Sequence, residues 1–96
     1  MGGSDLKLRI MLFAHYRNIV NNKEVEVETK GNTLNDAIWA LIESYPNLGP
    51  LILDGQKIKQ YVNITLNGKS VKDERGLAIV VKEEDKIAVF PTMAGG

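Results

Sequence analysis

The segment that decides the fold is an amphipathic stretch at residues 33–45, TLNDAIWALIESY. Its apolar residues recur every three or four positions, which is the spacing of one face of an α-helix. Thr33 and Asp36 have the spacing of a capping box at the start of this helix, and Pro46 ends it. We therefore predict one main helix, whose apolar stripe is formed by Leu34, Ala37, Ile38, Leu41, Ile42 and Tyr45.

Two strands are predicted before the helix. Residues 6–13 alternate between Leu or Ile and other side chains, and residues 24–29 alternate strictly between glutamate and an apolar or threonine residue. Alternation with period two is typical of a strand with one buried face. Residues 15–22 contain three asparagines and are predicted to form a turn. The two strands would then pair as an N-terminal hairpin.

The segments after the helix complete the predicted sheet. Residues 47–60 suggest a loop with a short helical turn packed against the core, and residues 61–66 a strand that ends at the hairpin turn Asn67-Gly68. A short return strand and a last strand at residues 87–90 follow. The element order predicts an α+β fold, the β-grasp (ubiquitin-like) roll: one mixed four- to five-stranded sheet packed on one main helix, with the last strand returning beside the first. Its predicted core comprises Leu8, Ile10, Val25, Val27, Leu34, Ile38, Leu41, Ile42, Val62, Ile64, Ile87 and Val89.

Composition excludes several classes of function. The 96-residue chain has no cysteine, so it has neither a disulfide framework nor a thiolate metal site. Twelve basic residues balance twelve acidic ones, whereas nucleic-acid-binding domains usually carry a basic excess. No apolar run approaches the roughly 20 residues of a membrane span. We therefore expect a cytoplasmic protein that binds neither membranes nor nucleic acids and holds no metal.

The chain divides into three parts. Residues 1–5 lack the features of a signal peptide and are expected to be a disordered lead or an expression scar. Residues 6–91 form the β-grasp domain. Strand pairing should stop near Pro91, because proline has no N–H group to donate. Residues 92–96, which end in Ala94-Gly95-Gly96, are expected to be a flexible tail.

Three blocks of the sequence resemble one family. They are Leu12-Phe13-Ala14, residues 62–68 with their Asn-Gly turn, and Ile87-Ala88-Val89-Phe90-Pro91 continuing through Gly96. Together they are similar to the small subunit of molybdopterin synthase, to the sulfur carriers of thiamine synthesis and to the small archaeal ubiquitin-like modifiers. The resemblance covers about residues 6–96. One departure is Glu84-Asp85, where relatives often have Gly-Asp, and this leaves the backbone conformation of that turn open.

The resemblance implies a function for the tail. An ATP-dependent activating enzyme would adenylate the Gly96 carboxylate, and a sulfur donor would convert it to a thiocarboxylate. Ala94 and Gly95 would deliver this end through a narrow channel, because glycine lets the backbone approach neighbouring groups closely. No cofactor is expected to be bound, and the activating enzyme consumes the ATP. The sulfur would pass to a molybdopterin precursor on a large synthase subunit, or to another acceptor such as tRNA.

A partner interface is predicted on the sheet face away from the helix. Met11, Phe13 and Phe90 are out of phase with the inward side chains of their strands, and exposed apolar patches usually mark interaction surfaces. The resemblance implies the same role for Phe13 and Phe90. The predicted interface comprises Met11, Phe13, Phe90, Pro91 and Met93.

Two alternative functions remain open. The same tail could join the protein to lysines of target proteins through an isopeptide bond, as in the archaeal modifiers. The chain could also be a β-grasp binding module in which the Gly-Gly end is incidental. His15, the only histidine, has no neighbouring catalytic pattern, and Trp39 is given no function.

Overall fold

A computed structural model describes residues 6–71 and 74–91. The elements, in chain order, are β1 (Leu6–Leu12), α1 (Ala14–Val20), β2 (Glu24–Thr29), α2 (Leu34–Ser44), a 3₁₀ turn (Pro46–Leu48), α3 (Gly49–Ile52), β3 (Leu53–Asp54), β4 (Lys57–Ile58), β5 (Val62–Leu66), β6 (Lys69–Ser70), α4 (Glu74–Leu77) and β7 (Lys86–Pro91).

Five of the strands form one mixed sheet in the order β2-β1-β7-β5-β6. β1 and β2 pair antiparallel as the predicted hairpin, with Leu8 opposite Val27. β7 lies parallel to β1 and antiparallel to β5, so the last strand returns beside the first. The architecture is the predicted ubiquitin-like β-grasp roll, with one long helix packed on the five-stranded sheet.

Helix α2 begins at the predicted capping box. The Thr33 hydroxyl accepts a hydrogen bond from the Asp36 amide at 3.2 Å, and the Asp36 carboxylate accepts one from the Thr33 amide at 3.2 Å. These two bonds satisfy backbone donors that the first turn of a helix otherwise leaves unpaired. The apolar stripe of α2 then packs against the sheet.

One apolar cluster lies between the sheet and the helices. Every predicted core residue except Ile42 is buried in it, and Ile42 is half-buried at its edge. Ile42 was predicted to be a core residue but is only partly buried, because it lies at the margin of the apolar stripe of α2. The cluster also contains side chains outside the predicted core: Leu12, Tyr16, Ala37, Ala40, Leu48, Ile52, Leu66 and Val81.

The prediction of a turn at residues 15–22 was wrong, because α1 occupies most of that segment. Ala14 begins α1 with a φ of 56°, and Asn21 ends it with a φ of 64°. The Asn21 amide donates to the Arg17 carbonyl at 2.7 Å, a common way for a helix to end on a left-handed residue. Asn18 therefore lies within a short helix, and Asn21 and Asn22 follow its end.

The long connection after α2 contains the predicted short helical turn, as α3, and adds the two-stranded ribbon β3-β4. Leu48 and Ile52 of this connection are fully buried. Residues 79–81 lie beside the start of α2, where the Leu34 amide donates to the Ile79 carbonyl at 2.9 Å. Among the described residues, no helix is long and apolar enough to cross a membrane.

Candidate functional site

The candidate site lies at the end of β7, a strand in the middle of the sheet. Ile87 and Val89 point into the core and are fully buried, and Ala88 and Phe90 point to the opposite face. Pro91 is still paired with Val62 of β5. The strand therefore holds the chain within the sheet up to Pro91, and the tail follows directly from this anchored end.

Beside β7, the end of β1 contributes two exposed apolar residues, Met11 and Phe13. Met11 lies opposite Ala88, and the Phe13 amide donates to the Val89 carbonyl at 3.2 Å. The rings of Phe13 and Phe90 meet edge to face, with centroids 5.9 Å apart and planes at 82°, a favourable geometry for two aromatic rings.

We call Met11, Phe13, Ala88 and Phe90 the outer-face patch. Met11 and Phe13 are each 41% exposed, and the inward residues of the same strands are buried. The predicted placement of Met11, Phe13 and Phe90 on the face away from the core is therefore confirmed. Their contact with a partner, and that of Pro91, stays a prediction.

A groove of about 720 Å³ continues the outer-face patch toward the start of β7. Its lining carries both signs of charge and is formed by residues Lys7, Arg9, Met11, Glu24, Glu26, Glu83, Glu84, Asp85, Lys86 and Ile87. A partner that covers the apolar patch would meet these charges at its rim. The glutamates of β2 were visible in the sequence as one face of a strand, whereas the position of residues 83–85 beside them depends on the pairing of β1 with β7.

The turn before β7 is fixed by Asp85. Its carboxylate accepts hydrogen bonds from the Asn67 side-chain amide at 3.1 Å and from the Lys82 backbone amide at 2.8 Å. These bonds, with the side-chain bond from Asn67 the larger cause, lower the pKa of Asp85. Asn67 in turn accepts from the Lys86 amide at 2.8 Å. The network ties the β5–β6 turn to the start of β7.

Glu84 stands where the resemblance implied a glycine, and its backbone does not require one. The non-glycine residues with positive φ in the described chain are Ala14, Asn21 and Asn67. Glu84 is therefore outside the left-handed region, and the turn is built by the hydrogen bonds of Asp85.

Behind the outer-face patch, α1 buries Tyr16 completely. Its hydroxyl has no hydrogen-bond partner among the described residues, an uncommon state for a buried polar group. Burial, together with the charge of Tyr61, raises the pKa of Tyr16 to about 12. His15 is exposed on the same helix, and the centroid of its ring lies 4.1 Å from that of the Tyr16 ring.

The described part of the chain contains no cluster of three or more His, Asp or Glu side chains that could hold a metal ion. Four predicted site residues lie outside the described residues: Met93 of the interface, Ala94 and Gly95 of tail delivery, and the reactive Gly96. The described chain therefore supplies the anchored strand, the outer-face patch and its charged rim.

Comparison with known proteins places the chain in a family. The sequence profile of the ThiS family matches residues 10–96, which is most of the chain and includes the Gly-Gly end. The chain belongs to the ThiS family. The family assignment agrees with the resemblance found in the sequence.

Relatives of this ThiS family protein include sulfur carriers and protein modifiers. Small archaeal modifier protein 3 of Haloferax volcanii is 28% identical, over 95% of this chain and 100% of its own length. The sulfur carrier protein CysO of Mycobacterium tuberculosis is 30% identical, over 73% of this chain and 78% of its own. The crystal structure of small archaeal modifier protein 1 from Haloferax volcanii superposes with a TM-score of 0.80 and 25% identity, covering 94% of this chain and 99% of the other.

Proposed function

We propose that this ThiS family protein is a sulfur carrier whose Gly96 carboxylate is activated by an ATP-dependent adenylating enzyme and then thiocarboxylated. The observation that carries the proposal is the position of β7. This strand is hydrogen-bonded on both sides, buries Ile87 and Val89, and ends at Pro91 beside the pair of the exposed Phe13 and the half-buried Phe90. The match to the ThiS family, which continues through Gly96, supports a functional tail.

The proposed chemistry has two steps. An oxygen of the Gly96 carboxylate attacks the α-phosphorus of ATP, and the bond from that phosphorus to pyrophosphate breaks. The product is an acyl-adenylate, a mixed anhydride with a reactive carbonyl carbon. A hydrosulfide-level sulfur nucleophile then attacks this carbon and AMP leaves with its oxygen. The result is a terminal thiocarboxylate, and no side chain of this protein takes part in either step.

The length of the tail determines where the activating enzyme must bind. Five residues follow Pro91, and five extended residues span at most about 18 Å. The enzyme must therefore bring its ATP within that distance of the end of β7. The outer-face patch begins at Phe90, one residue before Pro91, so it is the exposed apolar surface best placed for this contact. We accordingly propose that Met11, Phe13, Phe90, Pro91 and Met93 form the contact surface.

The acceptor that we propose for the sulfur is a molybdopterin precursor bound to a larger synthase subunit, as implied by the terminal block of Phe90-Pro91 through Gly96. Similarity to a sulfur carrier protein, CysO, supports carrier chemistry in general. Because activation consumes ATP, we also propose that the protein acts in the cytoplasm.

Similarity to small archaeal modifier protein 3 over that protein's whole length favours a second candidate function. In this alternative, the amine of a target lysine attacks the same acyl-adenylate, AMP leaves, and an isopeptide bond to Gly96 forms. The two candidates share the tail and the activation step. They differ in the nucleophile that follows.

Mass spectrometry of the protein purified from its native cells separates these functions. A sulfur carrier should contain a species whose mass exceeds that of the free acid by the difference between sulfur and oxygen. A modifier should leave Gly-Gly remnants on lysines of other proteins after proteolysis. If neither species is found, and the purified activating enzyme does not adenylate the chain, the protein is a binding module and the proposal is wrong.

A further inference from the structure

A second candidate surface is the edge of the five-stranded sheet that β2 forms. β2 is the outermost strand, and its pairing with β1 shows which of its backbone groups are used. The Leu12 amide donates to the Lys23 carbonyl at 2.9 Å, and hydrogen-bonded pairs alternate along an antiparallel ladder. Val25 and Val27 therefore direct their N–H and C=O groups toward β1. Glu24, Glu26 and Glu28 direct theirs outward.

No hydrogen bond within the described chain uses these outward backbone groups of β2. An edge of this kind is a template on which another strand can pair. An added strand would place its side chains alternately on the two faces of the sheet.

On the outer face, an added strand would run beside three carboxylates. The side chains of Glu24, Glu26 and Glu28 are exposed. Within β1–β2, Lys7 lies opposite Glu28 and Arg9 opposite Glu26. Opposite charges in such cross-strand positions are favourable and like charges are not. On its other side, β2 is therefore already paired with a strand, β1, in which basic and apolar residues alternate.

On the inner face, an added strand would approach a cleft between β2 and α2. The cleft has a volume of about 430 Å³ and is lined by Glu28, Thr29, Lys30, Gly31, Asp36, Trp39, Ala40 and Glu43. Trp39 is 38% exposed on this side of the helix. Exposed tryptophan is enriched among the residues that dominate binding energy at interfaces. An apolar side chain of the added strand would therefore contact Trp39 in this cleft.

From these features we infer that the β2 edge and the Trp39 cleft bind an extended segment of a partner protein in which basic and apolar residues alternate, by strand addition. The basic side chains would face Glu24, Glu26 and Glu28, and the apolar ones would face the cleft. A second copy of this chain is a poor occupant, because two β2 edges would bring their glutamates together. The edge lies two strands away from β7, about 10 Å, so the tail would remain accessible.

The test uses the full chain and a synthetic peptide, acetyl-Lys-Val-Lys-Val-Arg-Val-Lys-amide, followed by NMR. Saturable chemical-shift changes are expected for the backbone amides of β2 and the indole N–H of Trp39. Contacts are expected between the peptide backbone and the backbone of Glu26. A peptide with glutamate in place of each basic residue should not bind. Shifts confined to the outer-face patch, equal binding of the acidic peptide, or absence of saturable binding would overturn the inference. Concentration-dependent dimerisation through β2 would overturn it too.

Variants separate strand addition from simple charge attraction. Glu26→Pro removes an outward N–H and leaves the ladder to β1 complete, so the fold should persist and binding should be lost. Glu26→Lys should weaken binding roughly tenfold. Asp54→Lys is its matched control, because it makes the same charge change at an exposed position on β3, outside both the groove and the Trp39 cleft, and it should bind like the parent. Parental binding by a folded Glu26→Pro variant would contradict strand addition. If that variant does not fold, equal affinities of Glu26→Lys and Asp54→Lys would contradict the inference.

Discussion

Replacing Phe13 with alanine should separate partner binding from folding. The Phe13 ring is 41% exposed and its main ring contact is the edge-to-face pair with Phe90. An aromatic pair of this kind contributes about 0.5–1.5 kcal/mol. We therefore expect Phe13→Ala to lower the free energy of unfolding by about 1–2 kcal/mol, less than the 3–5 kcal/mol typical of a phenylalanine removed from a core.

The effect on partner binding should be larger. If Phe13 is an anchor that the activating enzyme covers, its truncation costs about 2 kcal/mol, or roughly a thirtyfold increase in Kd. Isothermal titration calorimetry with the activating enzyme measures this change, and urea denaturation measures the loss of stability. Phe90→Ala should give a similar result. The double variant should weaken binding less than the sum of the two, because the rings contact each other.

The matched control is Ile79→Ala. Ile79 is also a partly exposed apolar residue, but it lies in the loop beside α2 and outside the outer-face patch. This variant should bind the enzyme like the parent. Unchanged affinity for Phe13→Ala and Phe90→Ala, or an equal loss for Ile79→Ala, would refute the assignment of the patch as the docking surface.

Three further variants test the fold around the site. Leu41→Ala, at the centre of the core, should cost about 2–5 kcal/mol in urea denaturation; a cost below 1 kcal/mol would contradict its burial. Ala14→Gly should stabilise the protein by up to about 1 kcal/mol, because the φ of 56° crowds a Cβ atom, and a loss of stability would argue against this backbone conformation. Tyr16→Phe should leave stability at neutral pH unchanged or higher, because the hydroxyl has no described partner. The pKa of Tyr16 is about 12 in the folded protein against 10.0 as its ordinary value, so the parent should lose stability between these values as pH rises, by at most about 1.4 kcal/mol per pH unit. The Tyr16→Phe variant should lack that part of the alkaline loss, and identical pH profiles would contradict the raised pKa.

The sequence predicted those parts of the fold that repeat with a regular period. Alternation placed Leu8, Ile10, Val25 and Val27 on the buried face, and the same alternation placed Phe13 on the exposed one. Such patterns reflect the geometry of a strand and need no knowledge of the neighbouring elements. The capping box of α2 was visible because its two members are local in the chain.

What the sequence did not predict depends on contacts between distant segments. Asp85 and Asn67 are 18 positions apart, and nothing in either turn alone indicates their hydrogen bond. The apolar residues of the 47–60 loop predicted a segment that packs on the core, but no periodicity identifies Leu48 and Ile52 as its fully buried members. Helix α1 is only seven residues long, and its asparagine-rich end is equally typical of a turn. The left-handed φ of Ala14 is not a preference of alanine.

Intact-mass spectrometry of the tail tests the central claim most directly. The full chain and a variant lacking Gly95 and Gly96 would each be incubated with the activating enzyme, ATP and a sulfide source, and a third sample would carry one extra residue after Gly96. The full chain should gain the mass of a thiocarboxylate. The shortened variant should stay unmodified, and the extended one should react at most slowly, since a small displacement of reacting groups can reduce rate on the order of a hundredfold. All three should have nearly the same thermal stability. Sulfur gained at the same rate by the shortened variant would show that Gly96 is not the reactive group, and the proposed function would be wrong.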